Sequence, residues 1–237
     1  PGWANKLGGR FAGFVGVAFP NTPFRGAELV GMPMSDEIAN LDRKTQRSEA
    51  MRRLGLDESL PTVIVTGGSL GALTLNKAVE ANIDALADWG FQVLHITGKG
   101  KAILDEQGNP RTAKNYHQME FCTSMQDVYA AADLLVVRSG AATVSEVAAV
   151  GVPAVFVPLP HGNGEQSLNI RPLLEEGAAR LVEDQDATAE WFASEIPALM
   201  ADSALLERMA QKAYKLGIRD AARVMAERTL KAVKHSD

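Results

Sequence analysis

Only one cysteine, Cys122, occurs in the sequence. A lone thiol excludes an intrachain disulfide and a multi-cysteine zinc site, and it fits a reducing compartment, so a cytoplasmic location is expected. A basic excess is also missing: 24 Lys and Arg stand against 29 Asp and Glu, a formal net charge of −5. Nucleic-acid binding is therefore not expected, because it wants a basic footprint interleaved with aromatics, and aromatics make up only 6% of the chain. Long apolar runs are absent too. The longest, residues 11–19 (FAGFVGVAF), falls well short of the roughly twenty residues that span a bilayer as a helix. Pro1-Gly2-Trp3 offers neither an initiator methionine nor the charged-then-apolar order of a secretion signal. The start reads as that of a fragment or a trimmed protein. His95, His117 and His235 have no partners at metal-ligand spacing, so neither a metal nor a cofactor is expected.

What remains is an ordinary globular composition, 46% hydrophobic and 22% charged over 237 residues, enough for a substantial core. From Thr62 onward apolar runs alternate with helical patterns. Strands are predicted over 62–66, 91–97, 116–121, 133–137, 154–158 and 179–182, with helices over 70–88, 101–106, 125–131, 143–150 and 165–176 between them. This βα repetition predicts a parallel sheet covered by helices. Helices 191–200, 203–216 and 220–233 follow, with Gly217 as the stop signal between the last two. Residues 11–19 read as a further strand with no neighbour before 28–31, the edge of a domain whose remainder lies elsewhere; a second domain is expected to begin near Met34. The final helix carries Arg219, Arg223, Arg228, Lys231 and Lys234. It reads as a solvated face or an interdomain contact, with an anionic membrane surface as the alternative.

The richest stretch is residues 132–172, ADLLVVRSGAATVSEVAAVGVPAVFVPLPHGNGEQSLNIRP. A buried strand empties into Arg138-Ser139-Gly140 just where a helix begins, a junction that aims free N–H groups and the positive helix end at an anion. Glu146, one turn inside that helix, can accept two vicinal hydroxyls or serve the helix dipole. The loop after the next strand opens a helix with Glu165, Gln166 and Asn169 on its first turns, Glu165 and Asn169 sharing a face. Upstream, Thr66-Gly67-Gly68-Ser69-Leu70-Gly71 also joins a strand to a helix; its glycines permit a tight turn and close ligand approach, and Ser69 can donate to a ligand or cap the helix. These turns all lie at carboxyl ends of parallel strands, which open onto one crevice. Gly67-Ser69-Gly71 also matches the G-x-S-x-G elbow of an α/β serine hydrolase, with Asp133 and His161 in the right order, although such an elbow usually stands deep in a sheet and this one follows the first strand of its domain. Asp184-Gln185-Asp186 resembles a metal-binding D-x-D pair but reads as turn and cap.

Taken together, GGSLGA, RSGAATVSE and VPAVFVPLPHGNGEQSLN, with ELVGMP upstream, make the chain resemble the MurG family of peptidoglycan N-acetylglucosaminyltransferases. The resemblance implies an α/β fold of GT-B type: a Rossmann-like, doubly wound parallel sheet binding the donor over residues 35–217, a remnant of the amino-terminal domain and linker over 1–34, and a helix over 218–237 crossing back to that domain. It implies UDP-N-acetylglucosamine as donor, lipid I as acceptor, and peripheral contact with the cytoplasmic face of the cell membrane. By motif position Gly67, Gly68, Ser69 and Gly71 approach the diphosphate. Cys122, with Met125 beside it, meets the uracil, and Ser139, Gly140, Ala141, Ala142, Thr143, Val144 and Ser145 meet the nucleotide through the helix start. Glu146 holds the ribose, and Glu165, Gln166 and Asn169 read the sugar. Met34-Ser35 stands where the family has an arginine, Leu70 where a glutamine is common, and Glu165 also replaces a glutamine. The implied reaction is an inverting transfer to the C4 hydroxyl of lipid I, giving lipid II, with the base in the amino-terminal domain. Other readings of the residues are a UDP-sugar epimerase and a non-catalytic nucleotide-binding module.

Overall fold

The computed structural model describes residues 2–20, 22–160 and 164–234. A short helix α1 (Trp3–Gly8) and the two-residue strands β1 (Gly16–Val17) and β2 (Glu28–Leu29) come first, followed by helices α2 (Asp36–Ala39) and α3 (Arg43–Arg53). The alternating region then runs β3 (Thr62–Thr66), α4 (Leu73–Glu80), β4 (Gln92–Ile96), β5 (Tyr116–Met119), α5 (Met125–Ala131), β6 (Leu134–Val137), α6 (Ala141–Val150), β7 (Ala154–Phe156), α7 (Glu165–Asn169), α8 (Arg171–Glu175) and β8 (Ala179–Leu181). Helices α9 (Ala189–Ala201), α10 (Ser203–Leu216) and α11 (Ala221–Lys234) close the chain.

The six strands β3 to β8 form one sheet in the order β5-β4-β3-β6-β7-β8, parallel throughout. Counted from β3 this is 3-2-1-4-5-6, the doubly wound Rossmann order, so the strand order reverses between β3 and β6. Both faces of the central strands are buried, which is why they read as unbroken Val, Ile and Leu. Alternation sends Ile64, Leu135 and Phe156 into one core with α3, α5 and α6, and Val63, Val65 and Val155 into the other with α4, α9 and α10.

Several predicted elements change. Residues 11–19 contribute only β1, and it pairs with β2 in parallel rather than standing alone. Residues 101–106 are not helical: the Asp105 carboxylate accepts from the backbone of Gln107 and Asn109 and bends the chain into a turn, bridged from Leu104 to Pro110. Helix 70–88 begins only at Leu73 and gives way to a 3-10 turn over Ile83–Asp88, where the Asn82 amide donates to Ala78 O and Ala189 O. Helix 165–176 divides at Ile170, because Pro172 has no N–H to extend the ladder of α7.

Helices α2 and α3 were not predicted, yet α3 anchors the site helices. The last carbonyls of α5 have no helical partner, and Arg43 supplies one: it donates to Tyr129 O at 2.9 Å, to Ala132 O, and to Gly151 O at 2.9 Å beyond the end of α6. Arg47 adds Ala131 O at 2.7 Å and the Asp133 carboxylate at 2.6 Å, and Arg53 holds Asp127. Burial pulls the Arg43 guanidinium down to about 10, still charged at neutral pH.

Replacing Arg43 by Met strands these carbonyls and is expected to cost about 3 kcal/mol in urea unfolding, whereas Arg52→Met, on an exposed side chain, stays within about 0.5 kcal/mol. His95, buried in β4, bonds Tyr116 Oη at 3.1 Å and Asn76 Oδ1 at 3.0 Å, and burial pushes its pKa from 6.5 to about 4. Between these values the unfolded chain holds the extra proton, so this contribution is complete above pH 6.5 and lost as pH falls toward 4. It amounts to about 3 kcal/mol at most. His95→Gln is expected to flatten that part of the stability–pH curve, read from urea midpoints between those pH values.

Candidate functional site

The crevice at the carboxyl edge lies where β3 leads toward β4 and β6 leads toward β7, in opposite directions along the sheet. On the β3 side the glycines have separate tasks. A Cβ on Gly67 would sit 2.0 Å from Ala72 N, and one on Gly71, at φ +65°, would sit 2.1 Å from Thr97 O. These two are therefore used for packing the turn onto its own helix and onto the β4 turn, not for ligand approach. Gly68, at φ +78°, faces open space. Ser69 is exposed and does not cap α4; the cap position is Ala72, with no side-chain bond. Leu70 is exposed as well, and its carbonyl accepts from Lys101 Nζ at 2.6 Å.

On the β6 side the pattern repeats. Gly140 occupies the N-cap of α6 with no side chain to bond the first N–H groups, so those of Ala141, Ala142 and Thr143 have no capping side chain. Val144 is buried and Ser145 partly so. Arg138 does not reach this space: it donates to Val157 O and Pro158 O at 3.1 Å and pairs with Asp184 at 2.5 Å. Glu146, half-buried, accepts a hydrogen bond of 2.6 Å from the Tyr129 hydroxyl through Oε2. Burial raises the Glu146 pKa above the usual carboxylate range, and the Tyr129 bond pulls it back.

Helix α7 stands over the β6 turn. Asn169 Nδ2 donates to Ser139 O at 3.1 Å, while Gln166 Oε1 accepts from Leu159 N at 2.9 Å and from Ser139 Oγ at 3.5 Å. These side chains lock the β7 loop to the β6 turn, leaving the Gln166 amide nitrogen and the exposed Glu165 toward the space. Glu165, Gln166, Asn169, Gly140 and Ala141 share one wall of a cleft of about 880 Å³, faced across it by residues of the stretch Gly2 to Phe24. The β3 turn, Cys122, Met125, Thr143 and Glu146 are outside that cleft; Val144 and Ser145 line a smaller cavity of about 170 Å³ beside it. Cys122 and Met125 pack partly buried against the core, the Cys122 thiol donating to Ser124 O at 3.6 Å.

The hydrolase arrangement does not exist. The Asp133 carboxylate accepts from Thr62 N at 2.7 Å, at the amino end of β3, and Ser69 follows the opposite end, about 16 Å away along five residues of strand. His161, with Gly162 and Asn163, lies outside the described residues, as does His235. Asp184 is neither a cap nor a free metal ligand: besides Arg138 it accepts from the Thr74 hydroxyl at 2.9 Å, and Thr188 caps α9. On α11 Arg223 pairs with Asp220 and Glu227, and Arg228 reaches Glu28 of β2 at 2.6 Å, which gives this helix a contact with the first segment. Sequence reading missed Tyr129 and the α3 arginines. Arg43 and Arg47, four residues apart and hence on one helix face, were the available signal.

Residues 62–225 match the glycosyltransferase family 28 C-terminal domain. Among curated relatives, the UDP-N-acetylglucosamine--N-acetylmuramyl-(pentapeptide) pyrophosphoryl-undecaprenol N-acetylglucosamine transferase of Paenarthrobacter aurescens (strain TC1) is 53% identical over 98% of this chain and 62% of its own length. The enzyme of the same name from Nocardioides sp. (strain ATCC BAA-499 / JS614) is 48% identical over 96% of this chain and 63% of its own. The chain thus spans about three fifths of the relatives it matches. The crystal structure of Acinetobacter baumannii MurG superposes with a TM-score of 0.76 at 28% identity, covering 96% of this chain and 62% of that one. Its fold is that of a Rossmann-like GT-B carboxyl domain, and the chain belongs to glycosyltransferase family 28.

Proposed function

We propose that this chain is the donor-binding part of an inverting N-acetylglucosaminyltransferase, which moves N-acetylglucosamine from UDP-N-acetylglucosamine to the C4 hydroxyl of lipid I and so makes lipid II for peptidoglycan. The observation that carries the reading is the pair of uncapped helix N-termini, α4 and α6, flanking the switch point between β3 and β6, with Glu146 one turn inside the second. Uncapped N–H groups and two helix dipoles suit a diphosphate, and a carboxylate beside them suits a ribose diol. The two relatives named above are N-acetylglucosamine transferases by name.

In this reading Gly68, Ser69 and the start of α6 hold the diphosphate, Gly67 and Gly71 shape the turn beneath it, and the backbone near Cys122 meets the uracil. Glu146 takes the ribose. Glu165, Gln166 and Asn169 border the sugar, with Asn169 and the Gln166 oxygen acting mainly to fix the β6 turn. As the anomeric bond breaks, negative charge grows on the departing UDP, and preoriented backbone dipoles stabilise it without reorganising. The attacking C4 hydroxyl is carried by lipid I; the base belongs to the amino-terminal domain of the full-length enzyme, to which residues 1–34 and 218–237 contribute, with 35–217 as the donor domain. Contact with the cytoplasmic face of the membrane is peripheral, in keeping with a lipid-linked acceptor; among the described residues no helix is long and apolar enough to cross a membrane.

Calorimetry of the 237-residue chain with UDP and UDP-N-acetylglucosamine is expected to show saturable one-to-one binding, and incubation with donor and a lipid I analogue no lipid II. Absence of uridine nucleotide binding would overturn the donor assignment; turnover would overturn the division of labour. A side chain also fits at Gly140, where an added Cβ meets nothing within 4 Å. Gly140→Asp should cap α6 and raise stability by about 0.5 kcal/mol, yet weaken UDP at least tenfold by occupying the same N–H groups with a like charge. Thermal melts and calorimetry on one preparation read both effects.

A further inference from the structure

We propose that Tyr129 positions Glu146 for the donor ribose, holding one carboxylate oxygen so that the other is presented to the hydroxyls. The inference rests on the donor reading above and adds a residue to it. Tyr129 lies 1% exposed on α5, and its hydroxyl donates to Glu146 Oε2 at 2.6 Å. Its backbone is fixed as well, since Tyr129 O accepts from Arg43 Nε at 2.9 Å. The phenol is therefore a donor on an immobile support, with the geometry of a charge-assisted O–H···O⁻ bond.

The carboxylate needs such a support. Elements packed around α6 carry Asp36 and Glu37 on α2, Asp127 and Tyr129 on α5, Glu165 on α7, Arg171 and Glu175 on α8, and Glu207, Arg208, Lys212, Tyr214 and Lys215 on α10. None of them forms an ion pair with Glu146 among the described residues, so the phenol, not a cation, orients it. A carboxylate accepts at both oxygens, and with Oε2 engaged by Tyr129, Oε1 keeps its full acceptor capacity for a diol. A purely structural tyrosine would require a partner for its hydroxyl but would place no demand on what binds the far side of Glu146.

The test uses the 237-residue chain with UDP and 2′-deoxy-UDP as probes. Tyr129→Phe is expected to weaken UDP about tenfold while changing 2′-deoxy-UDP less than twofold. Its affinity for UDP should also fall off on acidification from a higher pH than in the parent, because the lost bond had favoured the ionised carboxylate. Glu146→Gln gives the reference, and Tyr129→Phe added to it should cost nothing further; this pair also reads the effect without a stranded charge, should the single variant fold poorly. Equal loss of both nucleotides, no loss of either, or additivity in the double variant would overturn the role of Tyr129 while leaving the donor site intact. A Glu146→Gln chain that binds UDP like the parent would instead overturn the ribose assignment itself, and the role of Tyr129 with it.

Discussion

The partly buried guanidinium of Arg43 is the interaction from which the geometry of the crevice follows. It bonds the carbonyls of Tyr129 and Ala132 at the end of α5 and of Gly151 beyond the end of α6. Helix ends leave unpaired carbonyls, and a fixed planar fork is the side chain best shaped to gather several at once. Because those helices carry Tyr129 and Glu146, one cation sets their separation. Its burial would be costly without partners; here its donors find oxygens, and Asp133 adds a favourable charge nearby. Gly151, left-handed at φ +66°, ends α6 so that its carbonyl can turn to Arg43.

From that support outward, the helix starts are capped unevenly. α3 has Asp42 as its cap, α9 has Thr188 and α10 has Asp202, each accepting from its helix start. The helices that open the crevice, α4 and α6, begin at Ala72 and Gly140 and have no side-chain cap. Ala in place of a polar cap costs on the order of 1 kcal/mol and Gly only a few tenths; α1, α2, α5, α7 and α8 also begin without a side-chain cap bond. At α4 and α6 the unpaired N–H groups stand beside the β3 and β6 turns, so the crevice is bordered by backbone donors.

Much of this could be read from the residues. The central strands were legible because burial on both faces demands uninterrupted Val, Ile and Leu, and α5 and α10 because apolar spacing and stop residues were clear. Residues 11–19 misled because an apolar run there packs against β2 and α11, where Gly16 lies close to Met225 and Val30, instead of extending as a strand. Within the site, the motif glycines were visible but their division of labour was not: that Gly71 is pressed against Thr97 O depends on β4 lying beside β3, a contact between residues far apart in sequence. Tyr129 was hidden for the same reason. Its partner is seventeen residues away and on another helix.

The electrostatics of the crevice follow from where the arginines are used. Arg43, Arg47, Arg53 and Arg138 are committed to carbonyls and carboxylates of the fold. At the upstream position where the family resemblance places an arginine, this chain has Ser35, at the N-cap of α2, which packs on α6. Each helix start contributes roughly half an elementary positive charge. Two of them aimed into one crevice supply about one unit, comparable with a single guanidinium, and they do so from backbone held rigid by the sheet. In the proposed donor site a leaving diphosphate would thus meet fixed dipoles where a mobile cation would have to be ordered at each turnover, and Ser35 in the arginine's place would not leave that site without compensating charge.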